Sequence, residues 1–373
     1  MTVEGRVRAE IARRGPLPFS AVVEAALYGP GGFYVSGGRA GRDGDFLTSP
    51  EVGPLFGVLV ARFLDREWRA RGRPDPFVVV EAGAGPGTLA RTVLAASPEC
   101  GPVLRYVLVE RSPTQRALHG EHLALEGPAF AFAPRAPVDD EEPGARLPAG
   151  GPIVVSLAEL PRIEGPCVVL ANELLDDLPV DLAERTAGGW AEVRVGAGEE
   201  ALVEVPVPLA PERAAVLDAR VPAAAVGARV PLPVGATAWL RDARAVAGRG
   251  GVVVALDYGS SAAGLAARPW TEWVRTYRAH ERGGPPLVGL GVQDVTCEVP
   301  FDLLPPARSD RSQADWLADL GLEELVEEGR RLWAERAHLG DLAAVRARSR
   351  VGEAGALVDP AGLGAFRVLE WRA

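Results

Sequence analysis

Three glycines at alternate positions follow a short apolar run in the segment "VVVEAGAGPGTL", and their type and spacing suit ligand chemistry. They are Gly83, Gly85 and Gly87, with Glu81 two residues before the first of them. Glycine lets the backbone approach a ligand without a Cβ in the way, and it reaches dihedral angles closed to other residues. In open α/β sheets, ligands bind at the carboxyl ends of the strands. The segment therefore predicts a site for a nicotinamide dinucleotide or for S-adenosylmethionine, which are both bound at such a place.

The spacing of the glycines favours one of these two cofactors. Thr88 stands where the dinucleotide fingerprint G-x-G-x-x-G requires its last glycine. An acid two residues before a G-x-G-x-G run instead resembles the first motif of S-adenosylmethionine-dependent methyltransferases. A dehydrogenase is therefore disfavoured.

A second acid lies at the end of the next apolar run, in "YVLVERSP". The carboxylate of Glu110 at a strand end can accept both hydrogens of a ribose diol. Dinucleotide enzymes use the same contact, so Glu110 supports adenosine binding without choosing the cofactor. The alternative is an acid that is simply exposed at the surface.

A polar cluster follows the buried run "CVVLA" in the segment "ANELLDDLPV". Asn172, Glu173 and Asp176 are thereby placed at the carboxyl edge of the predicted sheet, where a transferred methyl group and its acceptor would meet. Two other readings stay open, namely that Asn172 caps a helix and that Asp176 or Asp177 is solvated. In "GGVVVALDYG", Asp257 reaches the same edge, where it either joins the site or braces the next loop.

Short apolar runs that alternate with helical patterns predict a mostly parallel, Rossmann-like α/β sheet covered on both faces. The predicted strands are Phe77–Ala82, Leu104–Glu110, Ile153–Leu157, Cys167–Ala171 and Gly251–Asp257, and the helices between them lie near Thr88–Ala96, Pro113–Leu125 and Trp239–Ala247. We predict an N-terminal helical cap with a Gly-rich loop over 1–75. The core then comprises 76–180 and 235–373, and 181–234 forms an inserted region of β-hairpins that shapes the substrate site.

Composition excludes several classes of function. The 373 residues carry a net charge of −10, which argues against a general nucleic-acid binder and favours a cationic or neutral substrate. Cys100, Cys167 and Cys297 lie far apart, so we expect neither a disulfide framework nor a metal site. Since no window approaches the roughly 18 apolar residues of a membrane span, we expect a cytoplasmic protein without one.

Several longer motifs occur in an order characteristic of the MidA family. They are "ALYGPGGFY", "GDFLTSPEVGPLFG", "EAGAGPGTL", "VERSP", "NELLDDLPV", "LDYG", "RTYRAH" and "QDVTCEVPFD". The chain resembles this family from about Ile11 to Phe366. The resemblance implies a class I methyltransferase fold with S-adenosylmethionine as the methyl donor. It places the cofactor contacts on Glu81, Gly83, Gly85, Gly87, Glu110, Asp45, Thr48 and Ser49, and the acceptor motif on Asn172, Glu173, Asp176, Pro179 and Val180.

The family includes the mitochondrial complex I assembly factor that methylates an arginine, so the resemblance implies a protein arginine as acceptor. Glu173 and Asp176 would hold its guanidinium bidentately, and His280 of "RTYRAH" could accept a proton. Methyl transfer is an in-line displacement that needs no metal. The partner would then be a protein acceptor, and the sequence leaves open whether the chain forms a homodimer.

Two alternatives stay open on the sequence alone. One keeps the donor and replaces the acceptor by a small molecule. The other is an assembly or scaffold protein that retains the cofactor pocket and performs no transfer. If the protein is a methyltransferase, the glycines of the Gly29–Pro50 loop favour a lid that becomes ordered over the cofactor.

Overall fold

A computed structural model describes residues 1–37, 48–129, 151–278 and 281–372. The helices are α1 (Val3–Arg14), α2 (Phe19–Leu27), α3 (Ser49–Val52), α4 (Pro54–Ala70), α5 (Thr88–Ala95), α6 (Pro113–His122), α7 (Pro211–Arg220), α8 (Val234–Ala247), α9 (Ala262–Ala266), α10 (Gln313–Asp319), α11 (Leu322–Arg336) and α12 (Leu342–Leu357). The strands are β1 (Leu17–Pro18), β2 (Phe77–Ala82), β3 (Leu104–Val109), β4 (Ile153–Leu157), β5 (Val168–Asn172), β6 (Asp181–Thr186), β7 (Gly189–Ala197), β8 (Leu202–Pro208), β9 (Arg229–Leu232), β10 (Val252–Asp257), β11 (Gly259–Ser260), β12 (Val274–Arg278), β13 (Glu281–Arg282), β14 (Asp294–Cys297), β15 (Val299–Pro300), β16 (Ser309–Ser312) and β17 (Arg367–Arg372). Among these residues, no helix combines the length and the apolar character needed to cross a bilayer.

The larger of two compact units, residues 47–172, 243–256 and 308–373, contains a seven-stranded sheet. Its strand order is β16-β17-β10-β5-β2-β3-β4. The five strands from β10 to β4 run parallel, and β16 is antiparallel to β17. This confirms the predicted, mostly parallel α/β sheet.

The core of the larger unit lies on the faces of this sheet. Every residue of β2 is buried, as expected of a central parallel strand with both faces covered. Helix α4 contributes a continuous apolar face, and its Phe56, Leu59 and Phe63 are fully buried in the core cluster. Each such side chain stabilises the fold by roughly 1.5–3 kcal/mol relative to an exposed position.

The smaller unit comprises residues 1–46, 173–242 and 257–307. Strands β6, β7 and β8 form the predicted hairpins, and β1 and β9 complete a five-stranded antiparallel sheet. A second, three-stranded sheet has the order β13-β12-β14. The apolar stripe Val3, Val7 and Ile11 of α1 is buried in the same cluster as Val193 and Val195 of β7.

The predicted N-terminal cap is divided between the two units. Helices α1 and α2 belong to the smaller unit, whereas α3 and α4 belong to the larger one. The reason is that the apolar residues of α1 and α2 share a core cluster with the antiparallel sheet, whereas those of α4 share one with the parallel sheet.

Candidate functional site

The glycine loop joins β2 to α5 in the larger unit. All three glycines have positive φ, at 68° for Gly83, 52° for Gly85 and 85° for Gly87. A side chain at any of these positions would be strained, which explains why the loop is built from glycine. An added Cβ on Gly85 would meet no atom of the described residues within 4 Å, so the backbone there faces open space between them.

The carboxylate of Glu110 holds this loop in place from the end of β3. Its Oε2 accepts a hydrogen bond from the Gly85 N–H at 2.9 Å, and its Oε1 accepts one from the Ser112 N–H at 2.7 Å. Burial raises the pKa of Glu110, and the two backbone N–H groups oppose that rise. Because a carboxylate has about four acceptor sites, each oxygen retains one for a further donor.

His119 on α6 fixes the other side of the loop, and sequence reasoning missed it. Its Nε2 lies 2.8 Å from the Gly85 carbonyl oxygen and its Nδ1 lies 2.8 Å from Oγ of Ser156. Since a carbonyl only accepts, Nε2 carries the proton and the Ser156 hydroxyl donates to Nδ1. Burial lowers the pKa of this fully buried histidine, which favours the neutral ring that this pattern requires. The available signal was a polar residue on the sheet-facing side of a crossover helix.

Asp257 braces the "NELLDD" motif in the smaller unit. Its Oδ2 accepts hydrogen bonds from the N–H groups of Leu174 at 3.2 Å and Leu175 at 2.7 Å, and its Oδ1 accepts one from the Tyr258 N–H at 2.9 Å. The side chain is fully buried. Of the two roles left open on the sequence, the structure supports bracing, although the braced segment is the preceding motif.

Asp176 and Asp177 lie side by side on a short 3-10 helix, Leu175–Asp177. Asp176 is 6% exposed, and Asp177 Oδ2 accepts a hydrogen bond of 2.7 Å from the Tyr34 hydroxyl. Burial raises the pKa of Asp176 to about 6 and that of Asp177 well above its ordinary value. The Oδ1 atoms of both side chains are buried and have no hydrogen-bond partner in the described part of the chain.

Comparison with known proteins identifies the family. The family model described as "Putative S-adenosyl-L-methionine-dependent methyltransferase" matches residues 59–318. The chain belongs to this family. It is a methyltransferase of the MidA type, as the motifs indicated.

Two curated relatives and a solved structure agree with this assignment. The chain is 29% identical to the Drosophila melanogaster homologue of the mitochondrial protein arginine methyltransferase NDUFAF7, and the match covers 80% of this chain and 68% of the relative. The Mus musculus NDUFAF7 protein is 28% identical, over 79% of this chain and 67% of the relative. A crystal structure of a Burkholderia thailandensis protein bound to S-adenosyl-homocysteine superposes with a TM-score of 0.78 at 29% identity, covering 100% of this chain and 92% of that one.

The residues of the glycine loop fit the methyl donor, S-adenosylmethionine. Open space above Gly85 leaves room for a ligand against the backbone. The spare acceptor sites of Glu110 suit a ribose diol. His119 and Glu110 occupy both polar backbone groups of Gly85, so the loop of this methyltransferase is preorganised.

The other predicted cofactor residues of the methyltransferase lie in different surroundings. Glu81 is 4% exposed, and its Oε2 accepts a 2.6 Å hydrogen bond from the Tyr106 hydroxyl, so it ties β2 to β3. Ser49 is fully buried and donates to Oε1 of Gln313 at 3.0 Å. Thr48 is the N-cap residue of α3 and is half-buried.

Some predicted residues cannot be placed in this way. Asp45, with Gly44 and Phe46 of the same motif, and the proposed proton acceptor His280 lie outside the described residues. The roles given to them stay predictions, as does the lid over Gly29–Pro50, of which 38–47 is not described.

The first two residues of the acceptor motif mark the end of β5. Asn172 is the last residue of the strand, in register with Leu256 of β10, and it is half-buried. Glu173 follows with φ at 51°, a left-handed conformation that a glutamate adopts only with strain. Strained residues concentrate at functional sites, which makes Glu173 a candidate for contact with the acceptor.

Proposed function

We propose that this methyltransferase transfers the methyl group of S-adenosylmethionine to an arginine of a protein. Two observations support the proposal. The fly and mouse relatives are named protein arginine methyltransferases. The smaller unit also holds a group of carboxylates of the kind that recognises a guanidinium.

The arrangement of Asp176 and Asp177 carries the proposal. Burying a carboxylate is costly unless a cation or hydrogen bonds compensate it. No arginine within the described ranges pairs with Asp176, Asp177 or Asp257, and the Oδ1 atoms of the first two have no partner there. A guanidinium presents five N–H donors in a planar fork, which matches two adjacent carboxylates. This pair therefore suits a cation of that shape as its ligand.

Each part of the protein has a definite task in such a transfer. The donor supplies a methyl group on a sulfonium, which makes the carbon electrophilic. The glycine loop and Glu110 of the larger unit would hold the adenosine part, and the carboxylates of the smaller unit would bind the guanidinium. Positioning of the two reactants is the main contribution that a protein makes to an in-line displacement.

Transfer of a labelled methyl group tests the proposal. Purified protein and methyl-labelled S-adenosylmethionine are incubated with an extract of the source cells, and the protein fraction is hydrolysed and searched for labelled methylarginine. We expect labelled methylarginine with the wild type and at least about a hundredfold less with Asp176→Asn, since one carboxylate of the pair is lost. Asp242→Asn is the matched control, because Asp242 is exposed and pairs only with its neighbour Arg241 in the described chain.

Other results would support the alternatives. Label confined to low-mass compounds would show a small-molecule acceptor. No label in any fraction from a protein that still binds S-adenosyl-homocysteine would show a scaffold without transfer.

A further inference from the structure

A buried histidine of the larger unit connects the glycine loop to the parallel sheet. His119 of α6 is fully buried. Its Nε2 lies 2.8 Å from the Gly85 carbonyl oxygen, and its Nδ1 lies 2.8 Å from Oγ of Ser156 on β4. The ring also packs close to the end of the loop, because an added Cβ on Gly87 would lie 3.4 Å from Cδ2 of His119. Both ring nitrogens contact the protein itself, so the geometry suits a residue that holds the loop in place.

The conformation of Gly85 depends on hydrogen bonds to two successive peptide units. Its N–H belongs to the unit that precedes the Cα and donates to Oε2 of Glu110 at 2.9 Å. Its C=O belongs to the unit that follows the Cα and accepts from His119 at 2.8 Å. Since each peptide unit is planar, only φ and ψ of Gly85 connect the two units. Glu110 and His119 together therefore restrain both torsions.

A glycine needs such a restraint more than any other residue. It has the widest choice of backbone conformations and loses the most entropy when one of them is selected. The φ of 52° at Gly85 is one of several that a free glycine would sample. When only a fraction of the molecules has the binding conformation, the apparent dissociation constant is the intrinsic constant divided by that fraction. A restraint on Gly85 in the free protein therefore raises the affinity for the ligand of the loop.

The other N–H groups of the loop also donate within the protein. Those of Gly83 and Ala84 donate to the Val109 carbonyl at 2.9 Å and 3.1 Å, and that of Gly87 donates to the Ala84 carbonyl at 2.9 Å. Pro86 has no N–H. A ligand thus meets a loop whose N–H groups are already bound, and the loop can select it mainly by the shape of the backbone. The conformation of the loop then decides how well the ligand fits.

We propose that His119 is a positioning residue for the methyl donor, and that its Nε2–H holds Gly85 in the conformation that binds S-adenosylmethionine. The inference goes beyond the proposed function, because it depends on the donor alone and holds for any acceptor.

Ser156 favours the form of the ring that this role requires. A carbonyl oxygen only accepts, so the contact with Gly85 needs a proton on Nε2. In a neutral imidazole Nδ1 is then an acceptor, and the Ser156 hydroxyl donates to it. Burial lowers the pKa of His119, the hydrogen bond to Gly85 opposes this effect, and the charge of Arg116 adds to it. The ring is therefore neutral at pH 8.

Two amide substitutions separate the contact with Gly85 from the contact with Ser156. The amide nitrogen of glutamine lies as far along the side chain as Nε2 of histidine, whereas that of asparagine corresponds to Nδ1. His119→Gln therefore retains a donor for Gly85, and His119→Asn retains a partner for Ser156 only. We expect affinity for S-adenosyl-homocysteine to fall by about tenfold in His119→Asn and by less than about threefold in His119→Gln, measured by calorimetric titration.

His122→Gln is the matched control, because His122 is an exposed histidine at the end of the same helix. It should bind S-adenosyl-homocysteine as the wild type does. Wild-type affinity in His119→Asn would overturn the proposal. Equal losses of affinity in His119→Asn and His119→Gln would also overturn it, because the donor to Gly85 would then make no difference.

Urea unfolding of the ligand-free proteins distinguishes positioning from a purely structural role. Each of the two substitutions at His119 removes one of two buried hydrogen bonds, so we expect both variants to lose a similar free energy of unfolding. Only His119→Asn should also lose affinity. A loss of affinity that follows the loss of stability in both variants would overturn the proposal.

Nitrogen NMR of the wild type at pH 8 tests the proposal without any substitution. We expect a proton on Nε2 of His119 and none on Nδ1, and we expect S-adenosyl-homocysteine to slow the exchange of that proton with solvent. A proton on Nδ1 would overturn the proposal, because Nε2 could not then donate to Gly85. Exchange that the ligand leaves unchanged would overturn it as well. None of these measurements involves an acceptor, so their failure would leave the proposed arginine acceptor unaffected.

Discussion

Glu110 combines a structural contact with the glycine loop and the predicted contact with the ribose of the cofactor. Glu110→Ala removes the acceptor for both ribose hydroxyls and frees the Gly85 N–H. Since each hydrogen bond to a charged group contributes about 1.5–3 kcal/mol, we expect affinity for S-adenosyl-homocysteine to fall by at least about a hundredfold in calorimetric titration. Glu121→Ala, an exposed change on α6, is the matched control. Equal affinity of both variants would place the ribose elsewhere.

Glu81 gives the stability of the fold a definite dependence on pH. Burial raises its pKa from 4.5 to about 7 in the folded state. Between these values the unfolded chain loses the proton and the folded chain keeps it, so stability falls as pH rises through this window. The full penalty, present above pH 7, is about 3 kcal/mol.

Glu81→Gln should remove this dependence, because the amide does not ionise and still accepts from Tyr106. We expect the variant to gain about 3 kcal/mol over the wild type between pH 4.5 and pH 8 in urea unfolding. If the free energy of unfolding changes with pH in the same way for both proteins over that range, Glu81 does not titrate as its burial indicates.

Two substitutions of Glu173 distinguish its backbone strain from a role in methyl transfer. Its φ of 51° costs a non-glycine residue about 1–2 kcal/mol. We expect Glu173→Gly to raise the free energy of unfolding by about 1 kcal/mol, whereas Glu173→Gln keeps the strain and leaves stability unchanged. Both variants should lose methyl transfer if the carboxylate contacts the acceptor. Thermal unfolding measures the first effect, and a loss of stability in Glu173→Gly would show that contacts of Glu173 outweigh its strain.

At the scale of elements, the close contact of α4 with α5 depends on one glycine. A Cβ on Gly57 would lie 2.1 Å from Oγ1 and 2.4 Å from Cβ of Thr92, so one helix must move. We expect Gly57→Ala to destabilise the fold by about 1–3 kcal/mol in urea unfolding.

Gly355→Ala on α12 is the control, because an added Cβ there meets no atom within 4 Å in the part of the chain that the structure describes. It should stabilise the protein by up to about 1 kcal/mol, since alanine has the higher helix propensity. A similar loss of stability in both variants would rule out the α4–α5 contact as the cause.

The elements that sequence reasoning predicted best are those with both faces buried. β2 and β4 have the predicted bounds, β3 and β10 differ by one residue at one end, and β5 is shifted by one residue. Continuous apolar runs bounded by glycine or polar residues leave little choice of strand. The three-stranded sheet around β12 was not predicted. Its strands are short and rich in polar residues such as Thr276 and Asp294, so periodicity gave no signal.

The same distinction holds for the candidate site. The glycine loop and Glu110 could be proposed from the sequence because the positive φ angles of the loop require glycine and Glu110 follows a continuous apolar run. His119 was missed because its contact with Gly85 joins residues 34 positions apart in the chain. Such contacts become visible only when the fold brings the residues together.

At the scale of the whole molecule, the net charge of −10 bears on the choice of acceptor. An acidic protein attracts cationic segments over a distance set by salt, about 30 Å at 0.01 M and 8 Å at 0.15 M. The cytoplasmic location and the absence of a nucleic-acid partner stay predictions.

Salt dependence of acceptor binding tests this long-range attraction. We expect an arginine-containing peptide to bind the protein saturated with S-adenosyl-homocysteine about tenfold more weakly at 0.15 M than at 0.01 M salt, because screening removes the attraction of the net charge. A peptide with citrulline in place of arginine is the control, since it keeps the shape and lacks the charge. It should bind weakly at both salt concentrations. If affinity for the arginine peptide does not change with salt, the peptide is recognised by the buried carboxylates alone, because salt screens buried charges much less.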